Sequence, residues 1–198
     1  MNAKCKKEGK MVDLTGLHKH FIMEHLKEGD VAVDFTMGNG NDTLFLSRAV
    51  GENGKVYAFD IQEEALNSTR VHLKAECAPE NYTLICASHD RVDEFVKEPI
   101  KAGMFNLGYL PRSGKKTVTT MRKTTLPAVE KAIELLCPDG VLIVAIYPGH
   151  EEGRLEGEEL MEYFSGLSKY KICASIFRIL NSPDSPYFYL IEKSPKTV

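Results

Sequence analysis

The chain has 198 residues, 43% of them hydrophobic, and a formal net charge of −3. That length and composition predict one globular domain over residues 1–198 with a substantial core, and the charge excludes a global basic footprint, so any nucleic-acid contact must be local. No run approaches the ~18 apolar residues of a membrane span. Five scattered cysteines without a CxxC pair point to reduced thiols in a cytoplasm and away from a disulfide frame or a zinc site.

Residues 1–12 are basic and polar, with no apolar signal core behind them, and read as a loose lead-in, equally a solvated tail or a nucleic-acid arm. From Asp13, apolar Leu14, Leu17, Phe21, Ile22 and Leu26 recur at helical spacing up to Gly29. His18, His20 and His25 on this helix read as surface or lightly packed residues, and no metal constellation is visible. Val31–Phe35 is a short apolar strand. The chain then turns through Gly38 and Gly40, and Asp42 and Thr43 open a helix carrying Leu44, Phe45, Leu46 and Ala49. Strand, glycine turn and helix form the local plan of a nucleotide site: glycine admits close backbone approach, and the helix N-terminus offers unpaired N–H groups.

Two glycines alone also occur in ordinary βαβ corners. The next strand, Lys55–Asp60, adds an acid 20 positions beyond Gly40, the spacing of about 20 at which a carboxylate reaches ribose hydroxyls. A dinucleotide site would place a third glycine where Thr43 stands, and Asp34 at the strand end would repel a pyrophosphate. A cationic ligand tolerates that acid, so S-adenosylmethionine is favoured over NAD.

Glu63–Ala78 reads as a helix stopped by Pro79, and Tyr82–Cys86 as a third strand. Ser88 and His89 follow at its end. Their side chains are candidates to cap an adenine, while Ser88 or Asp90 is equally a helix N-cap before Val92–Val96, and both roles can hold. A fourth strand, Ala102–Leu107, ends in Asn106-Leu107-Gly108-Tyr109-Leu110-Pro111, a rigid turn with exposed carbonyls and a flat ring suited to an amine and a base. Next, five of the twelve residues 112–123 are basic and none is acidic, which makes Arg112, Lys115, Lys116, Arg122 and Lys123 candidate phosphate contacts, or else a solvated loop. A helix from Thr125 to Leu136 closes at Cys137-Pro138-Asp139-Gly140, and Val141–Ile146 is a fifth strand. The loop Tyr147–Gly153 falls beside the Asn106 turn if the sheet is parallel. A helix over Glu156–Gly166 and two strands, Lys171–Ile179 and Tyr187–Glu192, complete the chain without a repeat or linker. Cys86, Cys137 and Cys173, in or beside apolar runs, read as small core residues.

Seven strands, five interleaved with helices and two closing as a hairpin, form an α/β plan that resembles the Rossmann-like class I methyltransferases. Residues 34–43 (Asp-Phe-Thr-Met-Gly-Asn-Gly-Asn-Asp-Thr), Ser88-His89, residues 105–111 (Phe-Asn-Leu-Gly-Tyr-Leu-Pro) and 147–153 (Tyr-Pro-Gly-His-Glu-Glu-Gly) resemble the bacterial family labelled "putative rRNA methylase", over nearly the whole chain from residue 13. Phe35-Thr36-Met37 departs from the family, which more often has Ala-Thr and a small residue. The resemblance implies a tRNA methyltransferase acting on the 5-aminomethyl group of (2-thio)uridine at the wobble position. It further implies that Asp34, Gly38, Asn39, Gly40, Asn41, Asp42 and Thr43 hold the methionine end of S-adenosylmethionine. Asp60 would take the ribose, with Ile61, Gln62, Ser88 and His89 about the adenine. Asn106, which also borders the cofactor, and Tyr109 would position the amine, with Pro111 beside it. His150 is a candidate proton acceptor partnered by Glu151 or Glu152, or else a loop residue bonded to backbone. No metal and no membrane are implied; the anticodon loop of tRNA is the expected partner, and the apolar C-terminal hairpin offers a homodimer face.

Two rivals stand beside this reading. One is a methyltransferase of the same fold acting on rRNA or a small molecule, since fold does not fix substrate. The other is a non-catalytic S-adenosylmethionine- or nucleotide-binding protein, against which the intact Asn106 turn argues. Thr43 argues against a Rossmann oxidoreductase.

Overall fold

Strands buried on both faces need continuous apolar runs, and short runs of that kind, each bounded by glycine or an acid, recur along this chain. The computed structural model describes residues 14–107, 122–149 and 151–196. Its elements are α1 (Leu14–His25), β1 (Val31–Asp34), α2 (Asn41–Val50), β2 (Lys55–Asp60), α3 (Glu63–Ala75), β3 (Tyr82–Cys86), α4 (Val92–Phe95), β4 (Ile100–Leu107), α5 (Arg122–Leu135), β5 (Leu136–Ile146), α6 (Glu151–Ser165), β6 (Ile172–Phe177) and β7 (Tyr187–Lys193).

The strands form one seven-stranded sheet in the order β3-β2-β1-β4-β5-β7-β6. Strands β1 to β5 are parallel, β7 runs antiparallel to β5, and β6 antiparallel to β7. This is the expected α/β sheet with its C-terminal hairpin. Successive strand residues face opposite layers. Val33, Phe105, Leu142 and Val144 pack with Val92 of α4, Ala128 and Val129 of α5, and Leu160 and Phe164 of α6. Ala32, Val56, Met104 and Ile143 pack with Ile22 of α1 and Leu46 and Val50 of α2. Each fully buried Val, Leu, Ile, Phe or Met among them contributes about 1.5–3 kcal/mol of transfer free energy.

Several boundaries differ from the sequence reading for identifiable reasons. β5 starts at Leu136, which pairs with Ile100, and the Cys-Pro-Asp-Gly segment interrupts the strand before pairing resumes at Ala102↔Val141. Asp139 there has φ 58°, and Lys101 Nζ holds its carboxylate at 3.0 Å. α3 ends three residues early in a Schellman turn: Cys77 N–H bonds the Lys74 carbonyl, Ala78 N–H the Leu73 carbonyl, and Cys77 takes φ 50°. α6 begins at Glu151, five residues ahead of expectation, with Glu151 and Glu152 in its first turn where the helix dipole favours acids. His18 is buried, its ring edge-on to Phe188, and so more closely packed than the surface or lightly packed residue expected. Cys86 and Cys173 are exposed, not core, because β3 and β6 are the two edges of the sheet. Among the described residues no helix is long and apolar enough to cross a membrane. Residues 1–13, read as the lead-in, lie outside those described.

Candidate active site

Parallel pairing brings the C-terminal ends of β1, β2, β4 and β5 to one rim of the sheet, the edge at which open α/β folds bind ligands. Asp34, Asp60, Asn106 and Tyr147 stand on that rim. Between β1 and α2 the chain reverses through Gly38 (φ 50°) and Gly40 (φ 82°). A Cβ on Gly40 would sit 2.9 Å from Thr69 Cγ2 and 3.1 Å from Thr69 Cα, so α3 as well as the turn requires glycine there. Thr69 donates its hydroxyl to the Gly38 carbonyl (3.0 Å), and Ser68 donates to Asn39 Oδ1 (3.0 Å). Two neighbouring α3 hydroxyls thus hold the glycine loop.

Asp34 is wholly buried and works inward. Its Oδ1 accepts from Thr36 N–H (3.1 Å) and its Oδ2 from the Thr43 hydroxyl (2.7 Å). Burial first, and the Asp42 charge second, raise its pKa from 3.8 to about 7. Asp60 accepts from Gly38 N–H (3.2 Å) and Gln62 N–H (2.9 Å), and burial raises its pKa. Beside it Ile61 is 59% exposed, an apolar platform that the core does not use. Ser88 makes no side-chain cap; its carbonyl accepts Arg91 N–H instead. His89 is buried edge-on to Phe105, burial lowers its pKa, and its Nε2 is buried without a hydrogen-bond partner.

Asn106 is fixed from three sides. Its N–H donates to Thr36 Oγ1 (2.7 Å), its Nδ2 donates to Asp42 Oδ2 (2.6 Å), and its Oδ1 faces the Tyr147 hydroxyl at 3.4 Å. Because a carboxylate only accepts, the Asp42 contact determines which end of the amide is nitrogen. The other Asp42 oxygen lies 2.7 Å from Lys19 Nζ of α1. Burial and the Asp42 charge keep the Tyr147 phenol protonated, a donor and not a base.

Asn41 opens α2 on the surface, and Lys123 is exposed in the first turn of α5. Tyr109, Pro111, Arg112, Lys115, Lys116 and His150, and the Arg122 side chain, lie outside the described residues. Among the described residues no group of three or more His, Cys, Asp or Glu could hold a metal ion. Lys19, Thr36, Ser68, Thr69 and Tyr147 carry no role in the sequence reading. Thr36, inside the 34–43 stretch, and Tyr147, in the loop that follows β5, had a visible cue there; the other three had none.

The residue set suits S-adenosylmethionine. An acid with an apolar neighbour at the β2 end, and an orphaned histidine nitrogen at the β3 end, offer what a purine ribonucleoside needs. An acidic rim without a phosphate-binding third glycine suits a cationic tail. Residues 56–193 match the family model described as "Putative rRNA methylase". The chain belongs to that family. A chloroplastic tRNA (mnm(5)s(2)U34)-methyltransferase of Arabidopsis thaliana is 36% identical over 189 residues, covering 88% of this chain and 67% of the relative. A crystal structure of a putative rRNA-methylase from Clostridium thermocellum superposes with TM-score 0.89 at 39% identity, over 93% of this chain and all of the other. A putative methyltransferase from Streptococcus mutans, solved in complex with SAH, gives TM-score 0.84 at 36% identity, over 93% and 99% of the two chains. Family and fold together make this protein an S-adenosylmethionine-dependent methyltransferase.

Proposed function

We propose that this methyltransferase N-methylates the 5-aminomethyl group of (2-thio)uridine at the tRNA wobble position, giving 5-methylaminomethyl-(2-thio)uridine. The observation that carries the reading is the orientation of Asn106. With Nδ2 committed to Asp42, its Oδ1 is the group left to meet an incoming acceptor. An oxygen acceptor at that place takes an N–H from an amine and turns the nitrogen lone pair outward. The likeness to the tRNA (mnm(5)s(2)U34)-methyltransferase over 88% of the chain supports a wobble uridine as the carrier of that amine.

Bound S-adenosylmethionine supplies an electrophilic methyl group on a sulfonium. Gly38, Asn39, Gly40, Asn41 and Asp42 would receive its methionine end, and Asp60, Ile61, Gln62, Ser88 and His89 its nucleoside; Asp34 and Thr43, also expected there, are fully buried and bonded to each other, so they brace the loop from inside. The chain's own task is then to select the neutral amine and hold it in line, and such positioning supplies much of the acceleration. Asn106 orients the amine. Tyr147, held protonated, donates toward Asn106 Oδ1 and gives way when the amine takes that oxygen. Tyr109, with Pro111, is proposed to stack on the base, and His150 to receive the released proton. An anticodon-loop base is single-stranded, so it can be splayed into such a site without opening a duplex. Lys123 and the basic residues before it would follow the phosphates, in the cytoplasm where tRNA is found.

Purified protein, S-adenosylmethionine and tRNA from cells lacking this activity, with nucleosides read by mass spectrometry, test the reading. The mass gain of one methyl group on 5-aminomethyl-uridine nucleosides is expected, lowered at least about 10-fold by Asn106→Ala. Methylation confined to rRNA or to small amines would overturn the substrate, and transfer undiminished in Asn106→Ala would remove Asn106 from the mechanism.

A further inference from the structure

The geometry points to Lys19 of α1 as a positioning residue for methyl transfer, acting through Asp42 to set the face that Asn106 turns to the acceptor; this rests on the reading of Asn106 given above. The backbone of Asn106 is already anchored, because its N–H donates to Thr36 Oγ1 at 2.7 Å. What that anchor leaves to the side-chain contacts is the rotation of the amide. Two orientations fill the same space, and they differ in chemistry. With Nδ2 on Asp42, the pocket meets an acceptor oxygen; flipped, it meets an N–H donor, which would compete for the lone pair that must attack.

Asp42 therefore selects the productive orientation, provided that it is held in place. Its two oxygens divide the work: Oδ2 takes Asn106 at 2.6 Å and Oδ1 takes Lys19 at 2.7 Å. The pair is no loose surface bridge, for the side chains are 33% and 15% exposed. The Lys19 ammonium also lies over the Phe45 ring, 5.0 Å from its centroid, and Phe45 stands one helical turn beyond Asp42 on α2. Asp42 in turn repels buried Asp34, whose pKa its charge helps to raise. A cation in contact with Asp42 offsets that repulsion. The chain Lys19–Asp42–Asn106–Tyr147 thus ties α1, α2, β4 and the end of β5 into one array.

Lys19→Met keeps the stem and removes the charge; Lys19→Arg keeps a charge. At saturating S-adenosylmethionine and tRNA, Lys19→Met is expected to slow single-turnover transfer about 10- to 100-fold, the scale of a misplaced reactant. Calorimetric affinity for S-adenosylmethionine should hold within about threefold, and Lys19→Arg should recover most of the rate. In an Asn106→Ala background Lys19→Met should add less than about twofold, because residues acting as one unit are not additive. Independently of any substrate, ¹⁵N NMR should show the Asn106 side-chain protons widely split in the parent protein, one shifted downfield by the Asp42 carboxylate, with the splitting collapsed in Lys19→Met and kept in Lys19→Arg. An unchanged Asn106 spectrum in Lys19→Met overturns the proposal, as does a loss confined to cofactor affinity, or full additivity with Asn106→Ala. Failure of the parent protein to methylate tRNA would sink the substrate reading alone, since the NMR arm tests Lys19 without an acceptor.

Discussion

Replacing Asp34 with asparagine should stabilise the protein, and increasingly so as pH rises. Asp34 is fully buried, and its pKa is raised from 3.8 to about 7, chiefly by desolvation. A raised carboxyl pKa means that the fold prefers the protonated form. The associated stability is full below pH 4, declines as pH rises toward 7, and is then lost. At about 1.4 kcal/mol per pKa unit, the ionised group costs the fold about 4 kcal/mol above pH 7. A neutral amide at this position would bear no such burden, and both present bonds have a substitute: its Oδ1 still accepts from Thr36 N–H, and its Nδ2 can donate to Thr43 Oγ1 with the hydroxyl reversed. Between pH 5.5 and 8.5 the advantage of Asp34→Asn should grow by about 2 kcal/mol, which for a domain of this size is about 4–8 °C in Tm. Thermal unfolding of both proteins at the two pH values measures it. A Tm difference that stays constant, or shrinks as pH rises, would refute the assignment of a desolvated carboxylate to this site.

Two backbone predictions run in opposite directions. Gly40→Ala puts a Cβ 2.9 Å from Thr69 Cγ2 at a residue with φ 82°, and should lower stability by about 2–4 kcal/mol, read by thermal or denaturant melts. Adding Thr69→Ala should recover only the clash with the Thr69 side chain, and a Gly40→Ala variant that melts with the parent would sink the packing argument. Cys77→Gly relieves φ 50° at the left-handed position of the α3 Schellman turn and should raise stability by about 1 kcal/mol, with Tm unchanged or lower as the contrary result.

The strands about the glycine loop, and the loop itself, are legible because their signals are local. Lys55–Asp60 and Tyr82–Cys86 carry their boundaries in the residues that flank them, and the structure has both strands where they were read. Exposure at the sheet edges was not legible. Apolar runs in β3 and β6 look like those of inner strands, and only the order of strands puts Cys86 and Cys173 at an edge. The support of the site was hidden for the same reason. A lysine on α1, or a serine and threonine on α3, reads as solvent-facing helix until those helices dock beside the loop between β1 and α2. His18 is a further case, buried because β7 brings Phe188 against it.

The acids on the rim also explain why the fold tolerates so costly a group as Asp34. Three carboxylates, Asp34, Asp42 and Asp60, cluster there, and the charges of Asp42 and Asp60 both raise the pKa of Asp34. Among the described contacts one lysine, Lys19, bridges Asp42. A negative field attracts a sulfonium more than a neutral thioether, so under the proposed function it would strengthen binding of S-adenosylmethionine relative to the product left after transfer. Asp34 touches no surface, so any effect it has on a ligand must come through that field, which needs no contact but does need ionisation. With a pKa near working pH, its charge fades on acidification even while every hydrogen bond in the loop stays in place. Asp34 thus weakens the fold at neutral pH, and under the proposed function its charge would favour exchange of cofactor for product, a destabilisation of the kind expected where function and not packing sets the choice of side chain.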